Sequence, residues 1–161
     1  MKIKVRPMIA PDKSDIMDML RNMPEFNTSE VIVAEEVLDD YLREPVRSGY
    51  HVFVAEIDSL VVGYICYGPT PLTEGTWDIY WLAVAPNQQS KGIGKSLLSF
   101  AESNIKKTRG RIAIIETSSK PEYEASGRFY RTKGYELACR LADFYAPGDD
   151  KLILIKRLII G

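Results

Sequence analysis

The chain of 161 residues carries one histidine, two cysteines and a net charge of only −1, and each scarcity removes a class of function. His51 has no Cys or His companion at the spacing of a tetrahedral metal site, so no metal is expected. Cys66 and Cys139 lack the histidine partner that would activate a thiol nucleophile. Both lie in apolar, strand-like runs, where a reduced and buried thiol is the ordinary state, and this points to a cytoplasmic protein. Without a positive excess or a basic stripe there is no field to draw in nucleic acid. No apolar run approaches the roughly 18 residues of a membrane-spanning helix, so no membrane partner is expected. The opening Met1-Lys2-Ile3-Lys4-Val5-Arg6 is an amphipathic strand pattern without the apolar centre of an export signal. What is present, 45% hydrophobic and 27% charged residues, suits a single domain over residues 1–161 with a real core.

The most telling stretch runs from Trp77 to Leu98. An apolar strand, Trp77 to Val84, is broken at Ala85-Pro86-Asn87 and followed by Gln89-Ser90-Lys91-Gly92-Ile93-Gly94, then by an apolar helix opening at Lys95. Two glycines one residue apart remove the Cβ atoms that would hold an anion off the backbone. The helix behind them offers unpaired N–H groups and the positive end of its dipole. A phosphate-bearing ligand is the economical reading, and a plain strand-to-helix turn with packing glycines is the alternative. Gly94-Lys95-Ser96 matches the end of a nucleotide-binding P-loop, but Gln89 stands where its first glycine belongs. A dinucleotide fingerprint would need a third glycine where Leu97 stands.

The remaining elements follow from periodicity and punctuation. Residues 2–9 alternate as a first strand. A helix opens at Pro11-Asp12, with Asp12 as N-cap and Ile16, Met19, Leu20 and Met23 on one face. A second occupies part of 29–44, stopped by Pro45. His51 to Ile57 and Leu60 to Tyr67 form a hairpin about Asp58-Ser59. The glycine-loop helix buries Ile93, Leu97, Leu98, Ala101 and Ile105 and is capped by Gly110. Arg111 to Thr117 is an interior strand, reached by a parallel crossover. A helix over Glu122 to Lys133 and strands over 135–145 and 151–160, joined at Pro147-Gly148-Asp149-Asp150, complete an α/β domain. Its mixed sheet has six to seven strands flanked by about four helices.

Gln89-x-x-Gly92-x-Gly94 after Leu82-Ala83-Val84-Ala85-Pro86, the order of elements, and the stretch Phe129-Tyr130-Arg131-Thr132-Lys133-Gly134-Tyr135 together resemble the GNAT superfamily of N-acetyltransferases. The resemblance covers most of residues 2–160 and is loosest before residue 50. It implies a central strand that splays from its neighbour, so that Leu82, Ala83 and Val84 pair with the pantetheine of acetyl-CoA. It implies that the loop and helix start, Gln89, Ser90, Lys91, Gly92, Ile93, Gly94, Lys95 and Ser96, hold the pyrophosphate. Tyr130 falls where many members keep a tyrosine near the departing sulfur. Glu116 and Asp78 are the candidate bases, and alternation alone does not say which face carries the acceptor. A carboxylate in an apolar strand has to be solvated or paired, so a salt bridge is the competing reading for both. Tyr123 stands where the N-terminal acetylases have an asparagine that binds cofactor. The segment Asp143 to Asp150 resembles the aromatic turn that those enzymes place beside the acceptor, or is a solvated β-turn.

The function implied is acetyl transfer from acetyl-CoA, a co-substrate, to a primary amine by direct attack in a ternary complex. The acceptor is a small-molecule amine or a peptide, its identity open, and a homodimer is left open too. A non-catalytic CoA-binding sensor would keep the loop but need neither acid nor base.

Overall fold

A computed structural model describes residues 2–158, and residues 159–160 of the expected last strand lie outside that range. The strands are β1 Lys4–Pro7, β2 His51–Ile57, β3 Leu60–Pro69, β4 Thr76–Val84, β5 Ile112–Ser118, β6 Glu136–Ala146 and β7 Asp149–Arg157. They form one seven-stranded sheet in the order β1-β2-β3-β4-β5-β7-β6. Four helices flank it: α1 Asp12–Arg21, α2 Thr28–Arg43, α3 Ile93–Lys107 and α4 Glu124–Thr132. This is the mixed α/β architecture that the sequence implies. No helix among the described residues is long and apolar enough to cross a membrane.

The β2–β3 hairpin closes through Asp58 and Ser59, both left-handed at φ 51° and 67°, the twist that a two-residue turn needs to match its strands. The crossover through α3 makes β4 and β5 parallel, while the other pairs are antiparallel. The helices divide between the two faces. Ile93, Leu97, Leu98, Ala101 and Ile105 bury the apolar stripe of α3 with Ile65, Ile115 and Tyr130. Ile16 and Leu20 of α1 and Leu38 of α2 bury theirs on the opposite face with Val52, Val54 and Tyr64.

Helix ends differ from the sequence reading in several places. Pro11 is the N-cap of α1 and has no side-chain cap. Asp12 instead turns back to accept Arg6 Nη1 and Nη2 at 2.8 and 2.9 Å and Ile9 N–H at 2.8 Å, because a nearby guanidinium outbids a helix amide for a carboxylate. α2 starts sharply at a reciprocal cap in which Asn27 and Glu30 each accept the other's backbone N–H. α3 opens at Ile93, two residues before Lys95, and ends at Lys107. Arg109, at φ 63°, takes the left-handed position expected of Gly110. Gly110 serves close packing, since a Cβ there would stand 2.1 Å from Ile105 Cγ2.

Candidate active site

β4 opens the site. It pairs with β3 from Trp77 to Val84, but with β5 only from Thr76 to Ile79, after which β5 continues against β7 alone. The two parallel strands therefore part beyond Ile79, and the backbone of β4 from Tyr80 to Val84 faces a gap. A bulge accompanies the parting: Tyr67 pairs with Ile79 and Cys66 with Trp81, leaving Tyr80 as an extra residue. The extra residue reverses the alternation of the strand. Trp77 and Ile79 pack on the α3 face, and past the bulge Leu82 and Val84 do so, while Trp81 and Ala83 turn to the α1–α2 face.

Two cavities meet at this parting. One of about 450 Å³ lies between the end of β4, the start of α3 and α4. The other, about 700 Å³, lies between α2, the diverging strands and the β6–β7 turn. Phe26, Leu82, Tyr123, Ser126 and Tyr130 line both, so the two form one groove with a neck.

The glycine loop forms the outer end of the smaller cavity. Ser90 and Gly92 are left-handed at φ 65° and 82°, which curls the backbone into a concave turn. No side chain caps α3, so the N–H groups of Ile93, Gly94 and Lys95 have no partner within the helix. Gln89 Nε2 donates to Val84 O at 3.2 Å, pinning the loop to the end of β4. The two glycines do different work. A Cβ at Gly92 would point into open space, whereas one at Gly94 would stand 3.3 Å from Phe129 Cζ, so Gly94 admits the Phe129 ring against α3. Leu82, Val84, Gln89, Ser90, Gly92, Ile93, Gly94 and Lys95 all line this cavity. Ala83 instead faces the α1–α2 core. Lys91 Nζ donates to Gln88 Oε1 at 3.1 Å, and Ser96 N–H bonds Gly92 O within the first turn; neither residue is part of the lining. Lys133 also lines the cavity, and only its distance from the loop in sequence hid it.

Tyr130 stands at the neck with 6% of its surface exposed. Its ring is held edge-on by Phe129 and Tyr135 at 5.3 and 5.8 Å. Tyr135 is itself anchored, its hydroxyl donating to Glu102 Oε2 at 2.7 Å. Burial pushes the Tyr130 hydroxyl above the usual phenol range, with the Ser126 hydroxyl pulling partly back, so the phenol stays protonated across the working pH range.

The two candidate bases part company. β5 buries Ala113 and Ile115 on the α3 face, so alternation turns Glu116 to the other side, where it lines the wider cavity. It is paired there with Lys151 Nζ at 2.8 Å, its side chain 47% exposed. Asp78 lines neither cavity. Its Oδ2 accepts the Thr70 hydroxyl at 2.6 Å, in the part of β4 still closed by β5. Burial, with the charge of Asp78 next, pushes the neighbouring Tyr80 hydroxyl up to about 12.

Phe26, Glu30 and Tyr123 are among the groove residues outside the expected set of site residues. The Tyr123 hydroxyl donates to Glu30 Oε2 at 2.5 Å, joining the start of α4 to the start of α2 across the neck. The cap sequence Asn27-Thr28-Ser29-Glu30 was the available signal for Glu30. The β6–β7 turn closes the wider cavity with Tyr145 and Asp149. Asp149 is buried, accepts the Ser118 hydroxyl and lies 3.7 Å from Lys120 Nζ.

A family model described as an acetyltransferase (GNAT) domain matches residues 48–137, the stretch that holds β4, the glycine loop, α3, β5 and Tyr130. The chain belongs to the GNAT acetyltransferase family. A GNAT-family crystal structure from Desulfovibrio desulfuricans shares 36% identity and superposes with a TM-score of 0.94, over 98% of this chain and 100% of that one. An uncharacterized N-acetyltransferase of Methanocaldococcus jannaschii is 32% identical over 108 residues, so the match takes in 65% of this chain and 65% of that relative's length. The PaiA N-acetyltransferase of Thermoplasma acidophilum, solved with coenzyme A, shares the fold at 19% identity and a TM-score of 0.76, over 98% and 99% of the two chains. Both solved structures share their fold with this chain over 98% of its length.

Proposed function

We propose that this GNAT protein transfers an acetyl group from acetyl-CoA to a primary amine by direct attack in a ternary complex. The observation that carries the reading is the neck: a buried tyrosine stands where a cavity rich in free N–H groups meets a second cavity bearing carboxylates. The residues of the smaller cavity fit the cofactor. The turn at Ser90–Gly92 and the first-turn amides of α3 suit a pyrophosphate, with Lys95 and Lys133 adding positive charge. The unpaired edge of β4 past Ile79 suits the amides of pantetheine, as in β-strand addition. The coenzyme A held by the Thermoplasma neighbour agrees with this assignment. When bound, acetyl-CoA supplies the thioester carbon that the amine attacks.

The chain then has three tasks. An alkylamine with a pKa of about 10.4 arrives as an ammonium and has to lose a proton before attack. Glu116 is the base we assign, because it lines the acceptor cavity and Asp78 does not. A backbone N–H of the splayed strand near Val84 would be the donor to the oxygen on which negative charge develops. Tyr130 donates a hydrogen bond to the departing sulfur. Its raised pKa makes it a durable donor, and the proton lost by nitrogen on forming the amide balances the one that sulfur gains.

Replacing Tyr130 by Phe tests the assignment. The ring still packs against Phe129 and Tyr135, so acetyl-CoA affinity stays, while kcat falls by about 10²–10³, as for loss of one preorganised hydrogen-bond donor to a developing charge. An unchanged kcat returns Tyr130 to a packing role.

A further inference from the structure

The carboxylates of the acceptor cavity are not equivalent. Glu116 is neutralised by Lys151 at 2.8 Å, and Asp149 faces Lys120 at 3.7 Å. Glu30 lines the same cavity, and both of its side-chain partners are neutral: the Tyr123 hydroxyl at 2.5 Å and the Asn27 backbone N–H at 3.3 Å. No ion pair to Glu30 forms among the described residues. Its charge is stabilised by the first turn of α2, where the helix dipole favours an anion, but it is not compensated. Glu25, on the cofactor side of the neck, adds to the negative field around Tyr123. Phe26 and Trp81 pack edge to face at 5.6 Å, and Phe26 and Tyr123 at 6.2 Å, so the carboxylate sits at the end of an aromatic wall.

An uncompensated carboxylate beside aromatic faces is a seat for an organic cation. The reacting nitrogen is a poor occupant, because a carboxylate that holds it as an ammonium holds it in the form that cannot attack. We infer that Glu30, oriented by Tyr123, binds a second cationic group of the acceptor, so that the preferred substrates are primary amines carrying a further ammonium on a short apolar stem. The stem lies along Phe26 and Trp81, the free amine reaches the neck, and the distal cation replaces the counter-ion that the fold omits. An acceptor with a carboxylate at that distance meets the same charge as a repulsion. The inference rests on the acetyltransferase reading and names the class of acceptor.

Binding separates the two claims. Calorimetry on the protein saturated with CoA, which lacks the acetyl group and so prevents turnover, would compare 1,4-diaminobutane with n-butylamine. The wild type should prefer the diamine. Glu30→Gln deletes the charge while its amide oxygen still accepts the Asn27 N–H and its NH2 donates to the Tyr123 hydroxyl oxygen in place of the lost acceptor. It should weaken the diamine at least tenfold, about 1.4 kcal/mol, and butylamine, whose single ammonium can move to the neck, by a smaller factor. Tyr123→Phe frees the carboxylate from its orienting bond and should weaken the diamine by less than Glu30→Gln does. Equal affinity of the wild type for the two amines, or an unchanged diamine affinity in folded Glu30→Gln, overturns the inference. Thiol release from acetyl-CoA is read separately. A protein that holds the diamine through Glu30 yet transfers nothing overturns the acetyltransferase reading and leaves the cation seat standing.

Discussion

Replacing the two loop glycines by alanine, one at a time, should separate folding from ligand binding. At Gly92 the backbone is left-handed, φ 82°, and a Cβ meets nothing within 4 Å. The cost to the free protein is therefore conformational, about 1–2 kcal/mol for forcing an L-residue into that region. The new methyl points into open space at the rim of the smaller cavity, where a phosphate has to approach the amides. Acetyl-CoA affinity should fall at least tenfold, or about 1.4 kcal/mol. At Gly94 the residue is helical, so alanine gains about 1 kcal/mol of helix propensity. Its Cβ stands 3.3 Å from Phe129 Cζ and 3.8 Å from Val84 Cγ2, and a ring at a cavity wall yields a few tenths of an ångström at modest cost. Gly94→Ala should leave stability within about 1 kcal/mol of wild type and affect acetyl-CoA less than Gly92→Ala. Thermal unfolding without ligand and calorimetric titration with acetyl-CoA supply the two numbers for each variant. The reasoning fails if Gly92→Ala binds normally while Gly94→Ala does not, since the turn would then not be the anion site.

Two further outcomes follow from the carboxylates. Glu116→Gln should flatten the acidic limb of the kcat/KM profile, because a base is active only when deprotonated and its rate is lost as pH falls; Asp78→Asn, outside the groove, should preserve the limb, and the reverse pattern would exchange their roles. For Asp12, burial acts to raise the carboxyl, but the hydrogen bonds from the Arg6 guanidinium and the Ile9 N–H prevail and hold it below the usual carboxylate range. A depressed folded-state pKa contributes stability that is present above the unfolded value near 3.9 and is lost as pH falls through the folded one. Asp12→Asn should therefore cost about 2 kcal/mol at neutral pH and show a shallower loss of melting temperature below about pH 4 than the wild type; parallel curves for the two proteins would refute the assignment.

The parts of the fold governed by one stretch of chain are legible in the sequence alone. The buried stripe of α3 follows its 3.6-residue period, and the Asp58-Ser59 turn follows from its own chemistry. The parts decided by contacts between distant segments are not. The bulge at Tyr80 exists only in the pairing of β4 with β3, and without it the alternation assigns Leu82 and Val84 to the wrong face. Which of Asp78 and Glu116 reaches the groove depends on where β4 and β5 part, beyond Ile79. Gly92 and Gly94 look alike in the loop, and only Phe129, packed across from α4, tells the packing glycine from the open one. Tyr123 and Glu30 are 93 positions apart, and their pairing across the neck has no local signal beyond the cap that opens α2.

The central claim is that acetyl passes directly from bound acetyl-CoA to an amine without residing on the protein. Intact-mass spectrometry with continuous thiol detection, on the protein mixed with acetyl-CoA before and after addition of 1,4-diaminobutane, tests it most directly. Direct attack gives no mass increase on the protein and no thiol release until the amine is added, then one thiol released per acetylated amine. A stable acetyl-protein adduct of 42 Da, the mass of an acetyl group replacing hydrogen, formed on Cys66, Cys139 or any other side chain before amine addition and discharged by the amine, would contradict it.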